Sequence, residues 1–285
     1  MSISCAVVSY HNPPEQIADV LGSAAALPGV VLTLIDNSRD DRLLSVARQF
    51  GARYIHRPDN PGFGAAHNLA IAHAQEIGTE YHAVINPDVR FGPDVLPALR
   101  TYMEAHPDIG MLMPGICYPD GSRQHLCKLL PHPGDLFLRR FLPTVYRLSG
   151  RLNAYEMHDG GYDRIMDVPA LSGCFMFLRT SVLKQIGGFD ERYFMYLEDV
   201  DLSRRVGRVA RTVYFPAVTI THDYHKGSYK SSVLLSRHIR SAIHYFNKWG
   251  WLFDEERALV NSKALQALAR PPQPAADAPS LTNRK

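Results

Sequence analysis

The chain has 285 residues, a formal net charge of +3 and 46% hydrophobic residues, which suits one large globular domain or two small ones. So small a charge argues against nucleic acid as a partner. The four cysteines show no CxxC spacing, so neither a zinc site nor a disulfide framework is indicated and a reducing cytoplasm is favoured. The first residues enter a strand pattern with no charged leader, and no apolar run reaches the ~18 residues of a membrane span.

Residues 1 to about 115 alternate apolar runs with helical patterns. This alternation predicts a series of βα units, an α/β fold and a mostly parallel sheet flanked by helices. Gly or Pro follows most of the predicted helices, as expected at helix ends. The predicted strands are 3–9, 30–36, 53–56 and 81–86, and the predicted helices are 14–26, 42–50, 65–77 and 93–105.

The second half of the chain is less regular. Residues 128–166 are basic and aromatic and are predicted to be irregular, and the Pro- and Ala-rich tail 271–285 is predicted to be disordered. The other predicted elements are strands at 111–118, 171–179 and 211–215, helices at 181–186 and 200–207, and a helical extension from 232 to about 269.

Three acidic clusters each follow a short apolar run. They are Ile35-Asp36-Asn37-Ser38, Asn86-Pro87-Asp88 and Glu198-Asp199-Val200-Asp201. An acid at the carboxyl end of a buried strand points into the crevice where open α/β sheets bind ligands. Three such ends predict a nucleotide site, a metal site and a base site in one crevice, which is the layout of a sugar-nucleotide transferase.

Eight short motifs carry a resemblance to a known family. They read VVSYHN (7–12), IDNS (35–38), NPGFGAAHN (60–68), NPD (86–88), SGCFM (172–176), GGFDE (187–191), EDVDL (198–202) and THD (221–223). In this order they resemble the inverting family-2 glycosyltransferases with a GT-A fold. Within that family the chain is similar to the bacterial rhamnosyltransferase branch of polysaccharide assembly, over about residues 3–257.

The resemblance implies a division of the chain. Residues 1–115 would bind the nucleotide sugar, and 116–230 would form the acceptor-binding and catalytic half of the same GT-A domain. Residues 231–270 would be a C-terminal helical segment before the tail. The resemblance also implies a divalent metal, Mg²⁺ or Mn²⁺, that neutralises the charge of a departing diphosphate.

The resemblance places the metal at Asp88, the last acid of an Asp-x-Asp motif, with His222 completing its shell. Asn86 stands where the motif has its first acid, so only one carboxylate is left. His225, three residues after His222, competes for the same role. The alternatives are that Asp88 caps the following turn and that His222 merely ends a strand.

Inversion by direct displacement needs a carboxylate that takes the proton of the acceptor hydroxyl. The resemblance assigns this general base to Asp199, with Glu198 orienting the base or the acceptor. Two close carboxylates also raise each other's proton affinity, which helps a base to work near neutral pH. The alternative is that Asp199 or Asp201 caps the helix that follows.

The resemblance also implies a set of residues around the donor. Asp36 would accept hydrogen bonds from the nucleoside, Ser9 and Tyr10 would flank its base, and Gly173 would let the backbone approach the donor sugar. The Gly-rich turn at 60–64 leads into a helix whose amino end favours anions. The remaining predicted donor-site residues are Asn60, Gly64, Asn68 and Asn86, together with Lys226, Ser228 and Lys230 over the diphosphate.

Each of these assignments has a simpler structural alternative. Ordinary turn chemistry explains the Gly-rich turn, tight strand packing explains Gly173, and a solvated basic loop explains 226–230. The turn is not a GxGxxG fingerprint, so a nicotinamide dehydrogenase is not indicated.

Two segments combine apolar and basic residues. In the helix from Ser232, an apolar stripe of Leu235, Ile239, Ile243 and Phe246 opposes a basic stripe, and residues 136–142 mix the same residue types. Such segments either lie on an anionic membrane or cover the core. A polyprenyl-diphosphate-linked saccharide acceptor would make membrane docking useful, at the inner face of the cytoplasmic membrane.

The expected reaction is therefore transfer of L-rhamnose from dTDP-L-rhamnose to a saccharide or lipid-linked saccharide, in the synthesis of a cell-surface polysaccharide such as O-antigen. One alternative is another donor, UDP-galactofuranose or UDP-N-acetylglucosamine. The other is a catalytically silent nucleotide- or glycan-binding protein.

Overall fold

The computed structural model describes residues 2–224 and 232–269 of the chain. Within these ranges the strands form one nine-stranded sheet, in the order β3-β2-β1-β4-β8-β6-β9-β5 with β7 paired to β9. The strands are β1 (Ile3–Ser9), β2 (Val31–Asp36), β3 (Arg53–His56), β4 (Tyr81–Ile85), β5 (Val89–Phe91), β6 (Ile109–Cys117), β7 (Met166–Asp167), β8 (Phe175–Arg179) and β9 (Arg211–His222).

Helices flank this sheet and extend it at the carboxyl end of the chain. They are α1 (Pro14–Ala25), α2 (Leu44–Gln49), α3 (Phe63–Glu76), α4 (Val95–Ala105), α5 (Pro133–Phe141), α6 (Pro143–Leu148), α7 (Arg151–Tyr155), α8 (Thr180–Ile186), α9 (Glu198–Val206), α10 (Ser232–Trp249) and α11 (Glu255–Leu268). No helix in the described ranges is both long and apolar enough to span a bilayer.

The first four strands along the sheet are parallel, as the βα pattern predicts. Strand β8 runs antiparallel to both of its neighbours, β4 and β6, and the short strands β5 and β7 run antiparallel to β9. Strand β9 is parallel to β6. The carboxyl ends of β1, β2, β4, β6 and β9 therefore meet at one edge of the sheet, together with the amino end of β8.

Strand β1 is buried on both faces, which explains its uninterrupted apolar run. Cys5 and Val7 belong to the large core that also holds residues of α1 and α4. Ala6 and Val8 lie on the other face and pack with Ala66 of α3. The alternation of side chains along the strand thus divides the core between two helical layers.

The prediction that residues 128–166 are irregular is wrong, because this stretch contains α5, α6 and α7. Pro133 and Pro143 stand at the first helical positions, where a missing N–H costs nothing. His132 closes a capping box, because its Nδ1 accepts from the Gly134 amide at 3.1 Å and its own amide donates to Asp135 Oδ2 at 3.0 Å. The prolines mark helix starts here, not a loop.

Other predicted boundaries shift. Residues 171–174 are a loop, and only Phe175–Arg179 is a strand. Strand β9 continues past Phe215 to His222 through an irregular register between Phe215 and Thr219. The C-terminal helical region is two helices separated at Gly250, and Asp254 caps the second by accepting from the Arg257 amide at 2.9 Å. The short strands β5 and β7 were not predicted.

The division of the chain at residues 115, 230 and 270 remains a prediction. The predicted donor-site residues Lys226, Ser228 and Lys230, the competing His225 and the tail 271–285 lie outside the described residues.

Candidate active site

A cleft of about 950 Å³ opens at the sheet edge where the strand ends meet. Its walls come from the ends of β1, β4 and β9, the Gly-rich turn, the 172–174 loop, the start of α9, and helices α5 and α10. The cleft therefore collects residues from both halves of the chain. Of the predicted site residues it is lined by Ser9, Tyr10, Asn60, Asn86, Asp88, Gly173, Glu198, Asp199 and His222.

Asp199 stands in the first turn of α9 with its carboxylate held by two backbone amides. Gly173 N donates to Oδ2 at 3.1 Å, and Val200 N donates to Oδ1 at 2.9 Å. A Cβ at Gly173 would lie 3.3 Å from Asp199 Cβ, so a side chain there would crowd the carboxylate. Gly173 thus lets the backbone approach Asp199. This close approach was not predicted.

Glu198 lies beside Asp199 and is buried, with 7% of its surface exposed. Its Oε2 has no hydrogen-bond partner among the described residues. Burial and the neighbouring Asp199 charge raise the pKa of Glu198 well above its usual value. Burial is the larger of the two causes. The predicted help that the pair gives to a base near neutral pH stays a prediction.

The interpretation of Asp199 or Asp201 as a helix cap is wrong. Helix α9 begins at Glu198, its cap position is Leu197, and no side chain caps it. The fully buried Asp201 has a different role. It accepts from Trp249 Nε1 at 2.8 Å and lies 2.7 Å from both Arg205 Nε and Lys248 Nζ, so it ties α9 to α10.

Asp88 and His222 face each other across the end of the β5–β9 pairing. Val89 is in register with His222, and this brings Asp88 Oδ1 to 3.3 Å from His222 Nε2. On the other side of the ring, His222 Nδ1 lies 2.9 Å from Gln124 Oε1, and Gln124 Nε2 donates to the His222 carbonyl at 2.6 Å.

Gln124 fixes the protonation of the imidazole. Its amide nitrogen must face the His222 carbonyl, so its oxygen faces Nδ1 and Nδ1 carries the proton. In the neutral ring, Nε2 is then an acceptor directed at a carboxylate oxygen, and neither atom has a hydrogen-bond partner among the described residues. A proton or a cation between them satisfies both.

This arrangement fits a divalent cation. A carboxylate oxygen and an imidazole nitrogen together suit Mn²⁺, and Mg²⁺ takes few protein ligands when phosphate and water supply the rest. The described residues contain no group of three or more His, Cys, Asp or Glu side chains able to hold a metal. Asp88 and His222 would thus supply two protein ligands, and the oxygens of a diphosphate would supply further ones.

The Gly-rich turn and the loop before α9 touch through their backbones. Phe63 N donates to the Phe194 carbonyl at 2.9 Å. Gly62 has φ +102°, and a Cβ there would collide with the Phe194 carbonyl oxygen. Only glycine fits this contact, which holds the turn before α3 against the segment that leads to Glu198 and Asp199.

Three predicted donor-site residues lie away from the cleft lining. Asp36 is fully buried, and its carboxylate accepts from Tyr54 Oη and from Ser38 N, both at 2.9 Å. Asn68 clamps Phe189 by donating to its carbonyl at 2.9 Å and accepting from its amide at 2.8 Å. At Gly64 a Cβ would lie 2.9 Å from Phe189 Cβ. In this structure all three make packing contacts or internal hydrogen bonds.

The sequence reasoning missed several residues at the site. Gln124 carries no signal beyond its place in a polar run, since its partner His222 is almost a hundred positions away. Lys128, Arg139, Arg140 and Arg237 line the cleft as well. In the sequence, Arg139, Arg140 and Arg237 belong to the two segments predicted to lie on a membrane or to cover the core, and not to the predicted site.

Comparison with known proteins identifies the family of this chain. The family model described as "Glycosyltransferase like family 2" matches residues 2–269. The chain is 34% identical, over 75% of its length and 74% of the relative's, to the N-acetylglucosaminyl-diphospho-decaprenol L-rhamnosyltransferase of Mycobacterium tuberculosis. It is 26% identical to Rhamnosyltransferase WbbL of Escherichia coli K12, over 84% of this chain and 90% of that one.

A solved structure shows the same fold. The mannosyltransferase PcManGT of Pyrobaculum calidifontis, in complex with GDP-Man and Mn²⁺, has a TM-score of 0.55 at 16% identity, over 96% of this chain and 77% of that one. The predicted GT-A fold is confirmed. The chain belongs to glycosyltransferase family 2, in the branch that holds the named rhamnosyltransferases.

Proposed function

We propose that this protein transfers L-rhamnose, with inversion, from dTDP-L-rhamnose to a hydroxyl of a lipid-linked saccharide in cell-surface polysaccharide synthesis. The observation that carries the proposal is the Asp199 carboxylate, held at the start of α9 by the Gly173 amide, in the cleft that Asp88 and His222 also line. The rhamnose and the lipid-linked acceptor are supported by the names of two relatives.

In this proposal Asp199 is the general base. Its two backbone hydrogen bonds fix the orientation of the carboxylate without neutralising it, so a lone pair remains for the acceptor proton. Glu198 keeps its proton to higher pH than an ordinary carboxyl group. It can therefore donate a hydrogen bond to the acceptor beside the base.

At the other end of the cleft, Ser9, Tyr10 and Asn60 are proposed to hold the nucleoside. Asn86 and Asp88 lie where the diphosphate would leave. A divalent metal bound there would neutralise the charge that develops on the leaving group. Asp88 and His222 would hold the metal, and Gln124 would keep Nε2 of His222 free for it by fixing the proton on Nδ1.

The experiment is thermal unfolding with a panel of sugar nucleotides, with Mg²⁺ or Mn²⁺ and with chelator, followed by product analysis. A ligand at a hundredfold its dissociation constant stabilises by about 2.7 kcal/mol, enough for a visible shift. We expect the largest shift with dTDP-L-rhamnose and metal, and transfer of rhamnose. A shift confined to UDP-sugars would overturn the donor but keep the mechanism, and no shift with any donor would favour a silent binder.

We also propose that the protein works in the cytoplasm and docks on the inner face of the membrane. Exposed apolar side chains on α6 and α10, among them Val145, Leu148 and Ile239, stand close to arginines in the sequence. Failure to float with anionic liposomes at low salt would remove this part of the proposal.

A further inference from the structure

One wall of the cleft is cationic. Lys128, which precedes α5, Arg139 and Arg140 on α5, and Arg237 on α10 all line it, and we call these four residues the cationic wall. Arg237 is about a hundred positions away from the other three in the sequence. The fold therefore gathers positive charge from separate segments in one cleft.

His238 lines the same cleft as the cationic wall and is affected by its charges. His238 follows Arg237 and stacks on Tyr196 at 4.9 Å between ring centroids. Burial, and then the charges of Arg139, Arg140 and Lys128, lower the pKa of His238 to about 4. His238 is thus a neutral hydrogen-bonding group among cations at physiological pH.

Two residues of the cationic wall are not neutralised by a salt bridge to any described residue. Within the described ranges, neither Lys128 nor Arg237 forms an ion pair with a carboxylate, and Arg237 lies instead over the Phe194 ring at 3.6 Å. Glu156 lines the same cleft, but its Oε2 lies 3.2 Å from His158 Nε2. Clustered like charges repel each other, and a bound polyanion would relieve that repulsion.

Two residues of the cationic wall, Lys128 and Arg139, lie near the proposed base Asp199. The Asp199 charge acts on Lys128, and it acts also on Tyr155, over whose ring Arg139 lies at 5.6 Å. In a direct displacement the acceptor enters beside the base and the diphosphate leaves on the opposite side. A polyanion bound by the cationic wall would therefore be part of the acceptor, not of the donor.

We propose that the cationic wall binds the diphosphate of a prenyl-diphosphate-linked acceptor and so sets its sugar hydroxyl at Asp199. The proposal rests on the proposed function, in which the acceptor is lipid-linked. Arginines suit this role because a guanidinium binds two phosphate oxygens at once. The chemistry recognised is a diphosphate ester with a hydrocarbon on one side and a sugar on the other.

The first test is binding of geranyl diphosphate, which carries the diphosphate and a short prenyl chain but no sugar. Calorimetry compares it with geranyl monophosphate and geraniol, in the presence of saturating dTDP. We expect geranyl diphosphate to bind most tightly and the Arg139→Gln/Arg140→Gln double variant to weaken it by about tenfold or more, as expected for lost charged hydrogen bonds. Arg151→Gln removes an exposed charge just beyond α6 and should change nothing.

Displacement of geranyl diphosphate by dTDP would overturn the proposal, because the cations would then hold the diphosphate of the donor. If Arg151→Gln weakened the binding of geranyl diphosphate as much, the proposal would also be overturned, because the affinity would then depend on the net positive charge of the protein and not on contacts with the cationic wall. Arg237→Gln, on a different helix, is the second variant should the double variant unfold. Unchanged affinity in a folded variant of either kind would refute the proposal.

The second test separates this proposal from the proposed function. Two acceptors are compared, N-acetylglucosaminyl-diphospho-geraniol and octyl N-acetylglucosaminide, which has no phosphate. We expect the double variant to raise KM for the first by about tenfold or more and to leave the second and the KM of the donor unchanged. Transfer lost equally for both acceptors would overturn the role of the cationic wall. Absence of transfer by the unaltered protein would count against the proposed function, whereas the binding test would still decide the role of the wall.

Discussion

The two ends of helix α9 use their charges in opposite ways. At the cleft end, Glu198 and Asp199 have few partners among the residues that the structure describes, since Glu198 Oε2 has none there and the Asp199 carboxylate accepts from two backbone amides. At the buried end, Arg204 is saturated and makes a bidentate pair with Asp254 at 2.6 and 2.7 Å. The buried end fixes the helix, and this leaves the carboxylates of the first turn available to a ligand.

The largest effect is expected at the cleft end. Asp199→Asn removes the proton acceptor and keeps the size of the side chain, and its single carbonyl oxygen can accept from one of the amides of Gly173 and Val200. We expect kcat to fall by about 10²–10⁴-fold, the usual contribution of general base catalysis, with the binding of dTDP unchanged in a protein that still folds. Steady-state transfer assays and calorimetry measure the two effects.

Asp108→Asn is the matched control. Asp108 is exposed, precedes β6 and therefore lies at the opposite edge of the sheet from the cleft. It should leave kcat unaltered. Turnover of the Asp199 variant near the wild-type rate would refute the assignment of the base.

At the buried end, Arg204→Ala should act on stability. Only 3% of each side chain in the Arg204–Asp254 pair is exposed, and the arginine also contacts Glu256 at 2.6 Å and lies over the Trp249 ring at 4.2 Å. Removing Arg204 leaves the buried Asp254 carboxylate without its arginine partner, and breaking a buried pair in this way costs about 3–5 kcal/mol of folding stability. Urea unfolding should show the loss as an earlier midpoint.

The control for this prediction is Arg90→Ala. Its pair with Asp19 is about half exposed on both sides, at 3.2 Å, and exposed pairs contribute little. A midpoint that moves as far for Arg90→Ala as for Arg204→Ala would mean that burial does not distinguish the two pairs.

A smaller, pH-dependent effect is expected at Glu198. Its folded pKa is raised above the usual 4.5, so the folded state holds its proton where the unfolded state has lost it, and stability falls as pH rises above about 4.5. Glu198→Gln cannot ionise. The variant should match the wild type at pH 4 and exceed it at pH 8 by about 1–3 kcal/mol, the usual cost of an unsatisfied buried group.

Denaturant unfolding across this pH range measures the difference, and Glu80→Gln, at an exposed position, is the control. A difference between Glu198→Gln and wild type that does not depend on pH would contradict the explanation by burial.

Much of the structure of residues 1–115 was predictable, because its order is local. The βα alternation predicted β1 and β3 to the residue, and the strand ends placed Ser9 and Asp88 at the cleft. Asp36 shows the limit of such reasoning. The prediction that it ends a strand was right, but the sequence could not reveal that Tyr54 and Ser38 donate hydrogen bonds to its carboxylate.

The rest of the chain was less predictable, because its order depends on distant contacts. The Arg204–Asp254 pair joins residues 50 positions apart, and Gln124 reaches His222 across 98. Helix α5 begins with a proline, a residue type that also suits a loop, so its start was hidden. The cationic wall depends on the long-range placement of Arg237 beside residues 128–140, and no local pattern contains it.

The contact of Gly62 with Phe194 limits how this sequence can vary. Any side chain at residue 62 would meet the carbonyl oxygen of residue 194, four positions before Glu198. A chain that loses this glycine must therefore give the loop before α9 another path, and the carboxylates would move with it. Substitutions at residue 62 and in the 194–197 loop should consequently be tolerated together or not at all, so that the position of the base is specified partly by a residue more than 130 positions earlier.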